Sequence, residues 1–131
     1  MSGPERRLSK WLLTTGAVYA LGAVDFIARP RAALATLGRL GGEPLDYEGP
    51  GLYNSLAGAY MATIAALALT AGRDPEANRN LVPPLLVAKA ASSAAMLYQY
   101  QRTRKRGFAL GAALDAFLLG ATAGLYAASG D

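Results

Sequence analysis

The chain has 131 residues, of which 53% are hydrophobic, and its 13 basic and 9 acidic residues give a formal net charge of +4. The mean hydropathy is +0.21, and the charged residues cluster between long apolar stretches. A soluble domain alternates apolar and polar positions along each element, so this pattern argues against an ordinary soluble fold and indicates one integral membrane domain over residues 1–131.

The residue types that are missing restrict the chemistry. The sequence contains no cysteine and no histidine. Disulfides, thiolate catalysis, the usual zinc sites and histidine proton shuttles are thereby excluded, and we expect no metal site and no cofactor. The basic residues stand in short clusters beside apolar stretches, which favours membrane lipids over nucleic acid as their partners.

Four stretches are long and apolar enough to cross a hydrocarbon core of about 30 Å as helices. They cover residues 11–28, 51–72, 81–101 and 107–130. The sequence therefore predicts an all-α, multi-pass four-helix membrane bundle, located in a cell membrane. The first stretch has an alternative interpretation as a secretory signal, although its apolar run is longer than a usual signal core.

The segment between the first two spans predicts a short interfacial helix. Pro30 suits a helical first turn, and three leucines follow it at three-residue spacing: Leu34, Leu37 and Leu40. Further on, the acidic residues Glu43, Asp46 and Glu48 indicate a solvated loop. Glycines and prolines punctuate this second part as turn.

The link between spans two and three contains Asp74-Pro75-Glu76, which is typical of a helix start. We therefore expect the third helix to begin before the membrane does. Pro83-Pro84 then predicts a kink or break near the interface.

The basic residues do not determine the orientation. The side that contains both termini and the second link carries five: Arg6, Arg7, Lys10, Arg73 and Arg79. The opposite side carries seven: Arg29, Arg31, Arg39, Arg102, Arg104, Lys105 and Arg106. By the positive-inside rule, the larger number of basic residues on the opposite side favours both termini on the outer side of the membrane. The basic cluster near the N-terminus favours the reverse, so the orientation stays undetermined.

Two spans contain small residues at every fourth position. They are Gly58, Ala62, Ala66 and Thr70 in span two, and Ala112, Ala116, Gly120, Gly124 and Ala128 in span four. In lipid, close helix packing requires small residues at the contacts. We favour contacts within one bundle, with a homo-oligomer contact as the alternative.

Three charged residues lie inside the apolar runs. A charge at this depth costs about 2.5–3.5 kcal/mol, so mutual neutralisation is expected. From the side of the first link, the rise of 1.5 Å per residue places Asp25 about 6 Å deep, Asp115 about 10 Å deep and Lys89 about 16 Å deep. The lysine side chain reaches about 6 Å further. The sequence therefore predicts a buried polar cluster of Asp25, Lys89 and Asp115.

Polar neighbours at helical spacing predict a pocket beside this cluster, open towards the acidic loop. Its expected lining residues are Tyr19, Asn54, Tyr60, Ser92, Ser93, Met96 and Thr122. The tyrosines and Trp11 are also typical of interface anchors and packing residues. Ser92 and Ser93 have no histidine base, so we expect them to form hydrogen bonds between helices.

The predicted role is non-catalytic, and no catalytic residue can be assigned. We expect a binding protein or an accessory subunit of a membrane complex, whose cluster sets helix register or holds a small polar head group. One alternative is a small proton- or ion-coupled transporter. Another is a membrane-embedded acid–base enzyme, of the isomerase or cyclase type, acting on a lipophilic substrate. The expected partners are membrane lipids, a lipophilic ligand, and a second copy or a membrane complex.

Overall fold

The structure, a computed structural model, describes residues 1–42 and 51–130, together with their side chains except those of residues 51–54. Within these residues every regular element is helical: α1 Gly3–Ala28, α2 Pro30–Gly41, α3 Gly51–Arg73, a 3-10 turn at Arg79–Leu81, α4 Val82–Thr103 and α5 Arg106–Ala128. Four helices, all except α2, are long and apolar enough to cross a membrane. The predicted all-α four-helix bundle with one additional short helix is confirmed.

Helix α1 begins at Gly3, eight residues before the predicted span. The cause is a capping box at its N-terminus. The Ser2 hydroxyl accepts a hydrogen bond from the Glu5 backbone N–H at 3.3 Å, and the Glu5 carboxylate accepts one from the Ser2 backbone N–H. Such reciprocal bonds satisfy N–H groups that have no partner inside the helix, and so extend the helix beyond its apolar part.

The prediction for the link after α3 is wrong in two respects. Residues 75–78 form turns instead of a helix start, and the Asp74 carboxylate accepts from the Ala77 N–H at 3.0 Å inside the first of them. Helix α4 begins only at Val82, so Pro83 and Pro84 lie in its first turn and do not kink it. At this position the missing proline N–H groups cost nothing, because the first turn leaves its N–H groups unpaired in any case.

The predicted helix between the first two spans is α2, which packs against α1 and α5. It buries Ala33 and Gly38 and ends at Gly42, whose φ of 73° is left-handed. Its last turn approaches α5 so closely that a Cβ on Gly41 would lie 2.7 Å from the Cα of Gly107. The end of α2 is therefore fixed against the start of α5.

The bundle consists of two helix pairs. Helix α1 packs mainly on α3, and α4 packs mainly on α5, while smaller α1–α5 and α3–α4 contacts join the pairs. The first pair is in close contact, since a Cβ on Gly16 would lie 2.7 Å from Leu69 Cγ. The largest fully buried side chains are Leu8, Leu12, Ile64, Val82 and Leu85. This apolar core extends to the end of the bundle that contains both chain termini.

The small-residue strips provide only part of the predicted contacts, since Gly58 of α3 and Ala112 of α5 are buried but the other strip residues are not. In α5 the strip residues Ala116, Gly120, Gly124 and Ala128 are exposed, and in α3 Ala62, Ala66 and Thr70 are exposed. The rotation of α5 is set by its polar residues, because Asp115 and Thr122 both face inward. Leaving these two side chains outside would expose them on an otherwise apolar surface, which is more costly than exposing glycine and alanine.

Candidate functional site

A buried ion pair joins α4 to α5. The Lys89 Nζ atom lies 3.1 Å from Asp115 Oδ1. Lys89 is 2% exposed and Asp115 is 7% exposed, so both charged side chains are buried inside the bundle. The ammonium and the carboxylate neutralise each other, which offsets part of the cost of burying them.

Tyr19 of α1 connects the two charged residues. Its hydroxyl accepts a hydrogen bond from Lys89 Nζ and donates one to Asp115 Oδ1 at 3.0 Å. The ammonium also lies 3.7 Å from the centroid of the Tyr19 ring, where the electron-rich face attracts a cation. The ring and its hydroxyl therefore hold α1 against α4 and α5 at one point.

Ser92 and Tyr60 complete the group. The Ser92 hydroxyl donates to Asp115 Oδ2, so both carboxylate oxygens are engaged. The Tyr60 hydroxyl of α3 donates to the Ala88 carbonyl at 2.9 Å, and its ring centroid lies 5.4 Å from Lys89 Nζ. We refer to Tyr19, Tyr60, Lys89, Ser92 and Asp115 as the polar cluster. It takes side chains from all four long helices.

Every buried polar side-chain atom of the polar cluster has a hydrogen-bond partner. The Asp115 carboxylate accepts from Tyr19, Lys89 and Ser92. Among the described residues, no buried side-chain nitrogen or oxygen lacks a hydrogen-bond partner. A site that binds a ligand through these atoms would have to exchange protein contacts for ligand contacts. The arrangement is therefore suited to holding helices together.

Asp25 does not join the polar cluster. Its carboxylate forms an ion pair with Arg29, four residues further along the chain, with Arg29 Nη2 lying 2.6 Å from Asp25 Oδ1. The Asp25 side chain is 34% exposed, in a groove of about 380 Å³ on the outer surface of α1. The i,i+4 spacing gives Asp25 a cation at the end of the helix, which costs less than burying a second carboxylate beside one ammonium.

The other residues predicted to line a pocket make contacts between helices. The Ser93 hydroxyl donates to the Ala112 carbonyl at 2.9 Å, and Met96 packs where Gly111 has no side chain. Thr122 is buried and accepts from the Trp11 indole N–H at 2.8 Å. The side chain of Asn54 and the acidic loop lie outside the described residues. These contacts occupy the faces that the sequence assigned to a pocket.

Two tertiary contacts have no counterpart in the sequence interpretation. Trp11, expected only as an anchor or packing residue, bonds Thr122 and stacks edge-on against Phe117, with ring centroids 6.1 Å apart. Arg79 donates to the Tyr126 carbonyl at 2.9 Å and to Ser129, and its guanidinium lies 4.2 Å from the Tyr126 ring centroid. The partners in each contact are far apart in the sequence, and no local pattern in the sequence indicates that they meet.

The described residues contain no group of three or more acidic side chains placed to hold a metal ion. Within the polar cluster the available groups are the Lys89–Asp115 ion pair and the hydroxyls that bridge the helices. The chain matches no protein-family model, no curated protein and no solved structure. Its functional interpretation therefore rests on the geometry of the polar cluster and on the surface of the bundle.

Proposed function

We propose that this chain is a multi-pass integral membrane protein that acts without catalysis, as a binding protein or an accessory subunit of a membrane complex. In this proposal the polar cluster fixes the register of the four long helices. Partners then bind to the outer surface of the bundle. The proposed partners are a lipophilic ligand, a second copy of the chain or another subunit of a membrane complex.

The membrane location is supported by the length and the surface of the helices. Each of the four candidate spans contains an 18-residue window with a mean hydropathy between 1.4 and 1.7. Large apolar side chains are exposed on all of these helices, among them Val18, Leu21, Leu56, Val87, Leu114 and Phe117. A soluble monomer rarely exposes apolar surface on every side, whereas lipid accommodates it.

The engagement of both Asp115 oxygens inside the protein is the observation that carries the non-catalytic role. A general acid or base must reach the substrate proton it transfers. Here the Asp115 oxygens are occupied by Tyr19, Lys89 and Ser92, and the ammonium is buried among them. A transporter similarly requires a carboxylate that is reached from both sides in turn. The geometry supports the structural role of the cluster better than either alternative.

The membrane location is tested by cysteine labelling, because the chain has no native cysteine. Single D46C, E76C and R104C variants in intact membranes are treated with an impermeant maleimide. We expect residues 46 and 104 to label from one side and residue 76 from the other. Labelling of all three from the same side, or extraction of the chain by alkaline carbonate, would contradict the proposal.

The non-catalytic role is tested by removing both charges together. The Lys89→Met/Asp115→Leu double variant has no ionisable pair but keeps apolar side chains of similar length. We expect native mass spectrometry to find the same co-purifying proteins and lipids with this variant as with the wild-type chain. We also expect neither protein to conduct protons in liposomes. Proton flux that the wild type supports and the folded double variant lacks would favour the transporter instead.

A further inference from the structure

The turn between α4 and α5 concentrates positive charge at one end of the bundle. The turn contains Arg104 and Lys105, the last turn of α4 adds Arg102, and α2 adds Arg39. The three arginines are exposed, and Lys105 is half-buried. We refer to these four residues as the basic patch. Arg29 is excluded because it is paired with Asp25, and Arg31 and Arg106 are excluded because they have interactions within the chain.

The fold brings the basic patch together from two separate segments. Arg104 has a φ of 56°, a left-handed conformation that is uncommon outside glycine, and it ends α4. The chain therefore reverses within two residues, and α5 begins at Arg106. The contact between Gly41 and Gly107 places the last turn of α2 against this reversal. Arg39, two residues before that contact, lies at the same end of the bundle.

Two of the guanidinium groups lie beside aromatic rings. Arg102 is 5.7 Å from the centroid of the Tyr98 ring, and its Nη1 donates to the Tyr98 hydroxyl at 3.3 Å. Arg104 is 5.9 Å from the centroid of the Tyr100 ring. Tyrosine is enriched at the level of lipid head groups, where its ring is in the apolar boundary and its hydroxyl in water. The basic patch therefore stands next to side chains of the kind that is common at the level of lipid head groups.

The opposite end of the bundle is less basic. One of its basic residues, Arg79, forms hydrogen bonds with Tyr126 and Ser129 at the end of α5. By sequence, residues 1–10, 73–79 and 131 contain five basic and four acidic residues, the latter being Glu5, Asp74, Glu76 and Asp131. By sequence, residues 25–50 and 102–106, which include the basic patch, contain seven basic and four acidic residues, the latter being Asp25, Glu43, Asp46 and Glu48. The excess of positive charge is therefore larger on the side of the patch.

We propose that the basic patch binds the head groups of anionic phospholipids. Guanidinium groups match phosphate oxygens in shape and charge, and clusters of Lys and Arg next to an apolar helix attract anionic lipids. The bound lipids would lie around the α4–α5 turn and the end of α2. This inference rests on the membrane location proposed above and does not depend on the non-catalytic role.

The test compares two variants with equal changes of charge. In the patch variant Arg39, Arg102, Arg104 and Lys105 are replaced by Gln, and in the control variant Arg6, Arg7, Lys10 and Arg73 are replaced by Gln. Each protein is reconstituted into liposomes of phosphatidylcholine and phosphatidylglycerol in equal amounts. It is then extracted in mild detergent, and the retained lipids are quantified by mass spectrometry. Thermal unfolding of all three proteins verifies the fold.

We expect the wild-type chain and the control variant to retain phosphatidylglycerol at least twofold over phosphatidylcholine. The patch variant is expected to retain the two lipids in nearly equal amounts. The enrichment should fall when the salt concentration is raised, because salt screens exposed charges. Equal loss in both variants, or no enrichment in the wild-type chain, overturns the inference. Failure of the chain to insert into the liposomes contradicts the membrane location instead.

Discussion

The hydroxyl of Tyr19 on α1 donates a hydrogen bond to Asp115 Oδ1 on α5 at 3.0 Å, and the same hydroxyl accepts one from Lys89 on α4. Tyr19 and Asp115 are separated by 96 positions in the chain. One phenol thus links the helix pair α1–α3 to the pair α4–α5. Because the contacts between the two pairs are otherwise small, this link contributes to their alignment.

Replacing Lys89 alone is expected to destabilise the bundle severely. In Lys89→Met the Asp115 carboxylate stays buried without its cation, and removing one partner of a buried ion pair typically costs about 3–5 kcal/mol. We expect a large loss of folded protein in detergent, measured as the monodisperse yield and the unfolding temperature. An unchanged unfolding temperature would show that Asp115 is neutral or solvated in the folded protein.

The Lys89→Met/Asp115→Leu double variant is the matched control for this experiment. It removes both charges and leaves only the Tyr19 and Ser92 hydroxyls without their acceptor. Ser92 is only half-buried, and its hydroxyl can turn to a carbonyl of its own helix, so the main loss is the acceptor of the buried Tyr19 hydroxyl. One unpaired buried hydroxyl costs about 1–3 kcal/mol, which is less than the cost of an isolated buried charge. We therefore expect the double variant to be more stable than Lys89→Met in the same unfolding measurement. A double variant that is less stable than the single variant would contradict this order.

Removing one phenol oxygen measures the contribution of the Tyr19 link. Tyr19→Phe keeps the ring beside Lys89 but loses both hydrogen bonds of the hydroxyl, so we expect a loss of about 1–3 kcal/mol in unfolding free energy. Tyr98→Phe is the control, because the Tyr98 side chain is exposed at the surface. A surface change of this kind typically alters stability by less than about 0.5 kcal/mol. Equal effects of the two substitutions would argue against a special role of Tyr19.

Two glycines are expected to respond oppositely to substitution by alanine. A Cβ on Gly16 would lie 2.7 Å from Leu69 Cγ and 3.0 Å from the Leu69 backbone nitrogen. Gly16→Ala should therefore separate α1 from α3, at a cost of about 1–3 kcal/mol. A Cβ on Gly120 meets no atom within 4 Å. Gly120→Ala should be neutral or stabilise the helix by up to about 1 kcal/mol. The unfolding temperatures of both variants are compared with that of the wild-type chain. A Gly16→Ala variant as stable as Gly120→Ala would show that the α1–α3 contact has room for a methyl group.

Arg79 is expected to hold the last turn of α5. Its guanidinium donates to the Tyr126 and Ser129 carbonyls, at 2.9 Å and 3.2 Å. Arg79→Met removes these bonds, so the backbone N–H groups of residues 129 and 130 should exchange with deuterium faster. Arg73→Met is the control, since Arg73 is exposed and ends a different helix. Unchanged exchange in Arg79→Met would show that α5 does not depend on this contact.

The helices were predictable from the sequence, because spanning length and apolar composition are local properties of the chain. The depth of each charge was also accessible, since a helix rises 1.5 Å per residue. Depth alone indicated that Lys89 lies within reach of Asp115. Local capping chemistry was less accessible. The first turn of α1 and the late start of α4 depend on hydrogen bonds that apolar runs do not reveal.

The tertiary structure decided which groups meet. A sequence gives the height of a residue on its helix, but the rotation of that helix depends on what its neighbours can bury. For this reason the small residues of α5 from Ala116 to Ala128 face outward, while Asp115 and Thr122 face inward. For the same reason Asp25, at a compatible depth, pairs with Arg29 and leaves Lys89 to Asp115. The sequence by itself determined that the buried cation needs an anion, and only packing selected Asp115 as that anion and Tyr19 as the bridge.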